Sequence, residues 1–333
     1  VSGGLRPVPG ATDSLADVAG LSVGQVSVGA GASEAAVTGI SVVVAPDGAV
    51  GSVDVRGAAP GSRETDALSP LAAGERVHAV VLVGRSVFGL AAADGVTREL
   101  ERRGIGLPIA LPDGGPTLTI PIVAAAVVFD FASGDPAVRP STGDGEAATA
   151  AALDGDRRRP SAGSVGAGAG AWTGGIVGPR RKGGTGHGSL VASLADGPLV
   201  VAALVVVNAA GRVEAAGRFE PIGELPDLGP IVSARGQTTL AVVGTNAILS
   251  KAQLARVAAM SHDGLARVIR PVHSSVDGDA VFALAATEGP AAQPIAVSGW
   301  GAAATTIVGS MAADAVARAV GDAMRAAAVD DPG

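Results

Sequence analysis

The sequence predicts a layered α/β protein, with sheets inside and helices outside. Strand-sized apolar segments recur along the whole chain, and amphipathic helical patterns stand between them. Composition says what fills the interior: 47% of the 333 residues are hydrophobic, yet only 2% are aromatic. The core must come from Ala, Val, Leu and Ile, and at this length there is ample chain to build one.

In chain order, Leu21–Val28, Ile40–Val44, His78–Val83, Ile120–Phe129, Leu199–Val207, Thr239–Val243 and Ala280–Ala285 read as strands. Turn residues bound most of them. Several are almost continuous in Val, Ala and Leu, as strands covered on both faces are. Val87–Arg103 reads as a helix with its charges gathered toward the end. Ser250 is a good N-cap for the amphipathic segment beginning KAQLARVAAM. Thr305–Ala328 reads as an Ala-rich helix burying Ile307, Met311, Ala315 and Val316 on one face. Gly134–Gly145, rich in Gly, Pro and Asp, and the Gly-rich Gly163–Gly188 read as loops, the second alternatively as a tightly packed segment near a ligand, where missing side chains let backbone amides approach. No linker or repeat divides the chain, so one domain over 1–333 is expected.

Several functions are excluded early. There is no Cys, hence no disulfide framework, thiolate metal site or cysteine nucleophile. A net charge of −7 and the scarcity of aromatic rings argue against nucleic acid and against anionic membranes as partners. The most apolar stretch, Leu199–Val207, stops at Asn208 and is strand-sized, not membrane-sized. The opening VSGGLRPVPG lacks the pattern of a signal peptide. A soluble, cytoplasmic protein is expected.

Motifs that would carry other chemistry fail on context. Lys182 in the Gly-rich stretch follows Arg181, and no Ser or Thr follows it, so a phosphate-binding loop is not formed. No G-x-G-x-x-G occurs. Gly20–Gly24 matches G-x-S-x-G around Ser22, but the chain continues as a strand where a nucleophile elbow needs a helix. The four histidines, His78, His187, His262 and His273, form no metal-ligand spacing and read as structural. Only two Lys (182 and 251) and two Asn (208 and 246) occur, which most simply reflects genomic bias. Each still invites a question, because Arg cannot replace Lys as a compact, proton-shifting amine. Two adjacent Thr open the apolar run GQTTLAVVGTNA. About forty residues later Asp277 and Asp279 bracket Gly278 before another strand, a pairing that also suits an ordinary turn.

Taken together and in order, the segments DVAGLSVGQVSVG, VVLVGRSVFGLAAADGV, IPIVAAAVVFDF, GSVGAGAGA, KGGTGHGS, ALVVVNAAG, GQTTLAVVGTNA and MSHDGLARVIRPVHSSVDGDAVFAL resemble the DmpA-type aminopeptidase/amidase family. That family includes β-aminopeptidases and the nylon-oligomer (6-aminohexanoate oligomer) endo-hydrolase. The resemblance spans nearly the whole chain and implies a four-layer αββα sandwich similar to the N-terminal-nucleophile hydrolases. It implies self-cleavage between Gln237 and Thr238, leaving residues 1–237 and 238–333 associated. Thr238 matches the nucleophile, Lys182 and Asn208 match residues lining the site, and Asp277 and Asp279 match an acidic pair facing the nucleophile. It also implies a homo-oligomer of cleaved heterodimers, expected as a tetramer, and neither cofactor nor metal. A metal held by Asp277 and Asp279 would reveal itself by loss of activity in EDTA.

The chemistry is coherent with those residue types. A Thr hydroxyl needs a base, and its own nitrogen is an amide until the chain is cut. Cleavage gives Thr238 an α-amine with an ordinary pKa of about 7.7–8.0, close to its own hydroxyl. Asp277 and Asp279 would orient that head group, Lys182 would tune the amine, and Asn208 would donate to a developing oxyanion. Gly236 would permit the bend needed for attack on the Gln237 carbonyl. Gln differs from the Asn or Gly of similar enzymes and predicts slower maturation. Thr, in place of the Ser of the aminopeptidases, tilts the expectation toward linear amides. The expected substrate is a small peptide or linear oligoamide. The alternatives are an aminopeptidase or esterase acting on short peptides or aminoacyl amides, and a non-catalytic, ring-forming relative that binds a small ligand.

Overall fold

The computed structural model describes residues 5–29, 36–156, 158–177, 179–214 and 237–329. Its strands are β1 Val8–Pro9, β2 Ser22–Val28, β3 Thr38–Val55, β4 Ser62–Arg63, β5 Arg76–Val83, β6 Leu107–Ala110, β7 Thr117–Ile120 and β8 Val123–Val127. They continue with β9 Trp172–Thr173, β10 Arg181–Lys182, β11 Gly184–Leu194, β12 Gly197–Asn208, β13 Arg212–Val213, β14 Thr238–Thr245, β15 Ile269–Arg270 and β16 Ala280–Ala285. The α-helices among the described residues are α1 Ala91–Arg102, α2 Thr142–Asp154, α3 Lys251–Ala266 and α4 Ala302–Ala327.

Ten strands share one hydrogen-bonded sheet in the order β1-β11-β12-β14-β16-β3-β5-β8-β4, with β2 also paired to β3. The sheet folds over on itself through β3, whose first half pairs with β2 and β5 and whose last residues pair with β16. The register breaks between Val44 and Ala49, where β3 turns from one layer into the other. Strand periodicity sorts the side chains among three cores. On β12, Val201, Ala203, Val205 and Val207 face α3 and α4, while Val200, Ala202, Leu204 and Val206 face inward. On β5, Val80 and Leu82 meet that same inner core, and Ala79, Val81 and Val83 pack under α1 and α2. Helix, sheet, sheet and helix follow one another as four layers, the αββα sandwich that was expected.

Two expectations about loops are corrected. Gly134–Gly145 already contains the start of α2, capped by Ser141 and Asp144 in a reciprocal box. Gly163–Gly188 is not a loop throughout: it holds β9, β10 and the first residues of β11. Its glycines are there because backbones touch. A Cβ at Gly186 would lie 2.1 Å from the Ala319 carbonyl of α4, and one at Gly183 would lie 2.0 Å from the Val207 carbonyl. Close packing, not looseness, explains this composition. The predicted strand Ile120–Phe129 resolves into β8 and the end of β7, separated by Pro121 and Ile122. Ser250 caps α3 as expected, with Gln253 completing the box. Ser22 lies at the start of a strand, so no nucleophile elbow forms there.

Candidate active site

Thr238 opens β14 and is 4% exposed. Its strand neighbour across the ladder is Asn208, the last residue of β12. On the other side Gln237 bridges to Asp277, and the parallel pairing of β14 with β16 begins at Leu240 and Ala280. Three strand ends thus bring Thr238, Asn208 and the Asp277–Asp279 turn together. A parallel pair flanked by an antiparallel one leaves these ends side by side.

The Gln237 carbonyl is held from two directions. Gly278 N–H donates to it at 2.9 Å, and Thr238 Oγ1 donates to it at 2.6 Å. The hydroxyl expected to attack this carbonyl therefore lies against it, while a backbone amide already polarises its oxygen. Gly278 suits this close approach: a Cβ there would lie 2.8 Å from Thr238 Oγ1 and 2.7 Å from the Ala59 carbonyl. Gly236 lies outside the described residues.

The two carboxylates have different tasks. Asp279 Oδ1 accepts from Thr239 N–H at 2.6 Å, and its Oδ2 accepts from His273 N–H at 3.1 Å and from His273 Nδ1 at 2.7 Å. Asp277 Oδ2 accepts from the Ser274 amide at 2.9 Å and hydroxyl at 2.5 Å, while Oδ1 accepts from Ala210 N–H at 3.3 Å. Both carboxylates are buried. Burial first, and the neighbouring Asp279 second, push the Asp277 carboxyl above the usual carboxylate range.

Among the described residues Asn208 makes one bond with each end of its amide. Oδ1 accepts from Trp172 N–H at 3.0 Å and Nδ2 donates to the Phe129 carbonyl at 3.1 Å. An amide nitrogen has two hydrogens, so this leaves a second donor for another acceptor. The segment that follows Phe129 is fixed by Arg85, which is fully buried and donates to the carbonyls of Asp130, Ser133, Asp135 and Val138. Phe129 and Phe88 are exposed, and both meet Phe131 edge-on. Three of the five Phe in the chain thus form one cluster, tied to Asn208 through the Phe129 carbonyl. Nothing in the sequence pattern nominates them; only the folded segment joins Phe129 to Asn208.

Lys182 lies on the short ribbon formed by β9 and β10. It pairs with Trp172 across the β9–β10 ribbon, and its ammonium stands 4.7 Å from the centre of the Trp172 ring. It also lines a cavity of about 530 Å³ with Thr173, Arg181, Arg212, Glu214 and Arg325. Lys182 thus stands between the Trp172–Asn208 contact and that cavity.

The histidines divide. His78 accepts from Ile122 N–H, and His187 bonds to the Ser161 carbonyl; both are structural, as read from sequence. His273 departs from that reading by contacting Asp279 directly, and His262 stacks edge-on against it with ring centres 4.6 Å apart. The six-residue spacing from His273 to Asp279 was the available signal, but it means little until the intervening turn is seen. Among the described residues no group of three or more His, Asp or Glu could hold a metal ion. Also among them, no helix is long and apolar enough to cross a membrane.

Comparison with known proteins follows the same lines. A Burkholderia sp. β-aminopeptidase superposes with a TM-score of 0.69 at 20% identity, covering 96% of this chain and 88% of that one. The L-aminopeptidase D-Ala-esterase/amidase of Ochrobactrum anthropi, a serine aminopeptidase described as a new variant among the Ntn-hydrolase fold, gives 0.69 at 21% identity over 97% and 88%. The molecule therefore shares the αββα fold of these Ntn-hydrolase-fold structures. The pattern of peptidase family S58 matches residues 13–330. A Mycobacterium leprae (strain TN) protein named as an uncharacterized aminopeptidase is 41% identical over 340 residues, 92% of this chain and 89% of its own. The 6-aminohexanoate-oligomer endohydrolase of Paenarthrobacter ureafaciens is 29% identical over 280 residues, 79% of this chain and 73% of its own. The chain belongs to peptidase family S58 and is a hydrolase.

Proposed function

We propose that this hydrolase activates itself by cutting the Gln237–Thr238 bond and then uses Thr238 as an N-terminal nucleophile on short linear amides. The observation that carries the reading is the Gln237 carbonyl, held by Gly278 N–H at 2.9 Å with Thr238 Oγ1 at 2.6 Å. In maturation, Thr238 Oγ1 attacks that carbonyl carbon and gives up its proton. The C–N bond breaks, the Thr238 nitrogen takes a proton to become an amine, and the acyl group sits on Oγ1 as an ester. Water then hydrolyses the ester, leaving the Gln237 carboxylate and a free Thr238 hydroxyl.

In turnover the same atoms act on substrate. The Thr238 amine accepts the hydroxyl proton, Oγ1 attacks the substrate carbonyl, and the amine returns a proton to the leaving nitrogen. Gly278 N–H and the second Nδ2 hydrogen of Asn208 stabilise the oxyanion. Asp277 and Asp279 orient the Thr238 head group, and the charge of Lys182 lowers the amine's pKa.

The substrate class is a small peptide or a linear oligoamide of the 6-aminohexanoate type. The aromatic cluster of Phe88, Phe129 and Phe131, tied to Asn208 through the Phe129 carbonyl, favours substrates with apolar stretches between amides. Exposed Ile109, Leu111, Leu118 and Ile120 on and beside the β6–β7 hairpin support the expected association of several copies. Hydrolysis of 6-aminohexanoate oligomers should be compared with hydrolysis of aminoacyl p-nitroanilides by purified, cleaved protein. Faster turnover of the oligomers supports this reading. Turnover of the anilides alone makes the protein an aminopeptidase, and turnover of neither removes the amide-hydrolase assignment.

A further inference from the structure

We propose that His273 is a positioning residue that orients Asp279, and through it the Thr238 peptide, for the reaction. The inference rests on the reading of Thr238 as nucleophile.

Thr239 N–H belongs to the peptide unit that ties Thr238 into β14. Asp279 Oδ1 accepts from it at 2.6 Å, so this carboxylate fixes the rotation of the nucleophile's own backbone. Among the described residues the other oxygen, Oδ2, is held only by His273, through its amide at 3.1 Å and its Nδ1 at 2.7 Å. Both amide partners of the carboxylate are donors. The carboxylate therefore accepts along the third bond too, which places a proton on His273 Nδ1. His273 is the clamp on the far end of a lever whose near end is Thr238.

His273 is built into this position at a cost. Its φ of 56° lies in the left-handed region, which non-glycine residues seldom adopt. Such a conformation persists where its surroundings over-determine it, and it points toward function more than toward an ordinary turn. The surroundings are specific. His262 on α3 packs edge-on against the His273 ring, 4.6 Å between centres. His262 Nε2 donates to the Asp54 carbonyl at 3.1 Å. Burial, with a smaller contribution from His273, lowers the His262 pKa to about 4, so the neighbouring ring is neutral around pH 7. The charged groups around the pair are Asp279, with Asp277 beyond it, and the Asp54–Arg56 ion pair at the end of β3. Flanked by a neutral ring on one side and a carboxylate on the other, His273 Nδ1–H has one acceptor to serve.

Two variants of nearly equal size separate positioning from simple space-filling. Asn and Asp both tolerate left-handed backbone. His273→Asn keeps an N–H donor for Asp279, whereas His273→Asp sets a second carboxylate against it. Cleavage of the Gln237–Thr238 bond is followed by intact mass between about pH 5 and 8, beside thermal melting. His273→Asn should cleave within about tenfold of the parent, and His273→Asp about a hundredfold or more slower near pH 7.5, the scale of a lost charge-assisted bond. The gap between them should close toward pH 5 as the introduced carboxyl protonates and becomes a donor. Equal rates for both variants at every pH, with equal melting temperatures, would overturn the proposal. Should His273→Asp fail to fold, imidazole NMR on the uncleaved Thr238→Ala chain decides instead. An exchange-protected proton on His273 Nδ1 is expected, and a proton on Nε2 alone contradicts the proposal. Failure of the parent to cleave counts against Thr238 as nucleophile, and the NMR result then judges His273 separately.

Discussion

Asn208 and Thr238 are Cα partners at the open end of the β12–β14 ladder, so the expected nucleophile and its expected oxyanion donor are set by sheet register. Register is a strong constraint, because a slip of one residue would turn every side chain on β12 to the opposite core. The alternation Val200 to Val207 between two hydrophobic cores opposes that slip. Site geometry therefore inherits the stability of the whole sandwich.

Removing the Asn208 amide should cost catalysis more than folding. Asn208→Asp keeps an acceptor for Trp172 N–H and loses the donor. We expect kcat/KM to drop about 10²–10³-fold, as for other oxyanion donors. Asn208→Ala should lose as much activity, and both variants should melt earlier, because each leaves the Phe129 carbonyl without its donor and Ala also leaves Trp172 N–H without its acceptor. Steady-state kinetics and melting curves on both variants check this. Unchanged kcat/KM in either one contradicts the role.

Gly278→Ala should slow maturation by about tenfold or more. The added methyl meets Thr238 Oγ1 and the Ala59 carbonyl at distances under 3.0 Å, so the hydroxyl must rotate away from the Gln237 carbonyl. The readout is the fraction of intact chain against time. Cleavage at the parent rate would show that this turn can yield, and that the approach is not decisive.

Loss of the Lys182 charge should move a pH profile in a defined direction. A nearby cation disfavours protonation of the Thr238 amine, so its removal raises the amine's pKa. In Lys182→Met the acid limb of kcat/KM should shift upward by about 0.5–1 pH unit. Lys182→Arg retains a cation over Trp172 and should leave the limb in place. A downward shift, or none, in Lys182→Met removes Lys182 from the tuning role.

Acid should destabilise the fold through a buried histidine remote from catalysis. Burial, opposed by the bond to the Ser161 carbonyl, lowers the His187 pKa to about 4. The unfolded chain, with an ordinary value of about 6.5, then binds the proton more tightly. The stability that His187 contributes is complete above about pH 6.5 and disappears as pH falls toward about 4, amounting to about 3 kcal/mol. His187→Gln retains a donor for Ser161 and should flatten the fall in melting temperature across that window. Equal pH slopes in parent and variant would contradict this.

Much of the molecule was legible in the sequence because its signals are local. Apolar runs with period-2 packing announced the strands, and Ser250 announced α3. The scarcity of Lys and Asn pointed to four residues but could not sort them. Lys251 turns out to clamp the carbonyls of Ala67 and Gly74, and Asn246 ties Val200 N–H to the Pro198 and Gln293 carbonyls. Lys182 and Asn208 flank Trp172 instead. Illegible features were those made by tertiary contact. The Gly-rich 163–188 stretch could be read as loose or as tightly packed, because a glycine needed for backbone contact is indistinguishable, in sequence, from one that frees a loop. His273 looked structural because its partner Asp279 lies across a turn whose geometry no local propensity specifies.

Intact mass of freshly purified protein, taken over time beside Thr238→Ala, tests the central claim most directly. Two fragments that sum to the precursor plus one water, one of them beginning at Thr238, with both absent in the variant, are predicted. A single undiminished mass in the parent after prolonged incubation would contradict self-activation through Thr238.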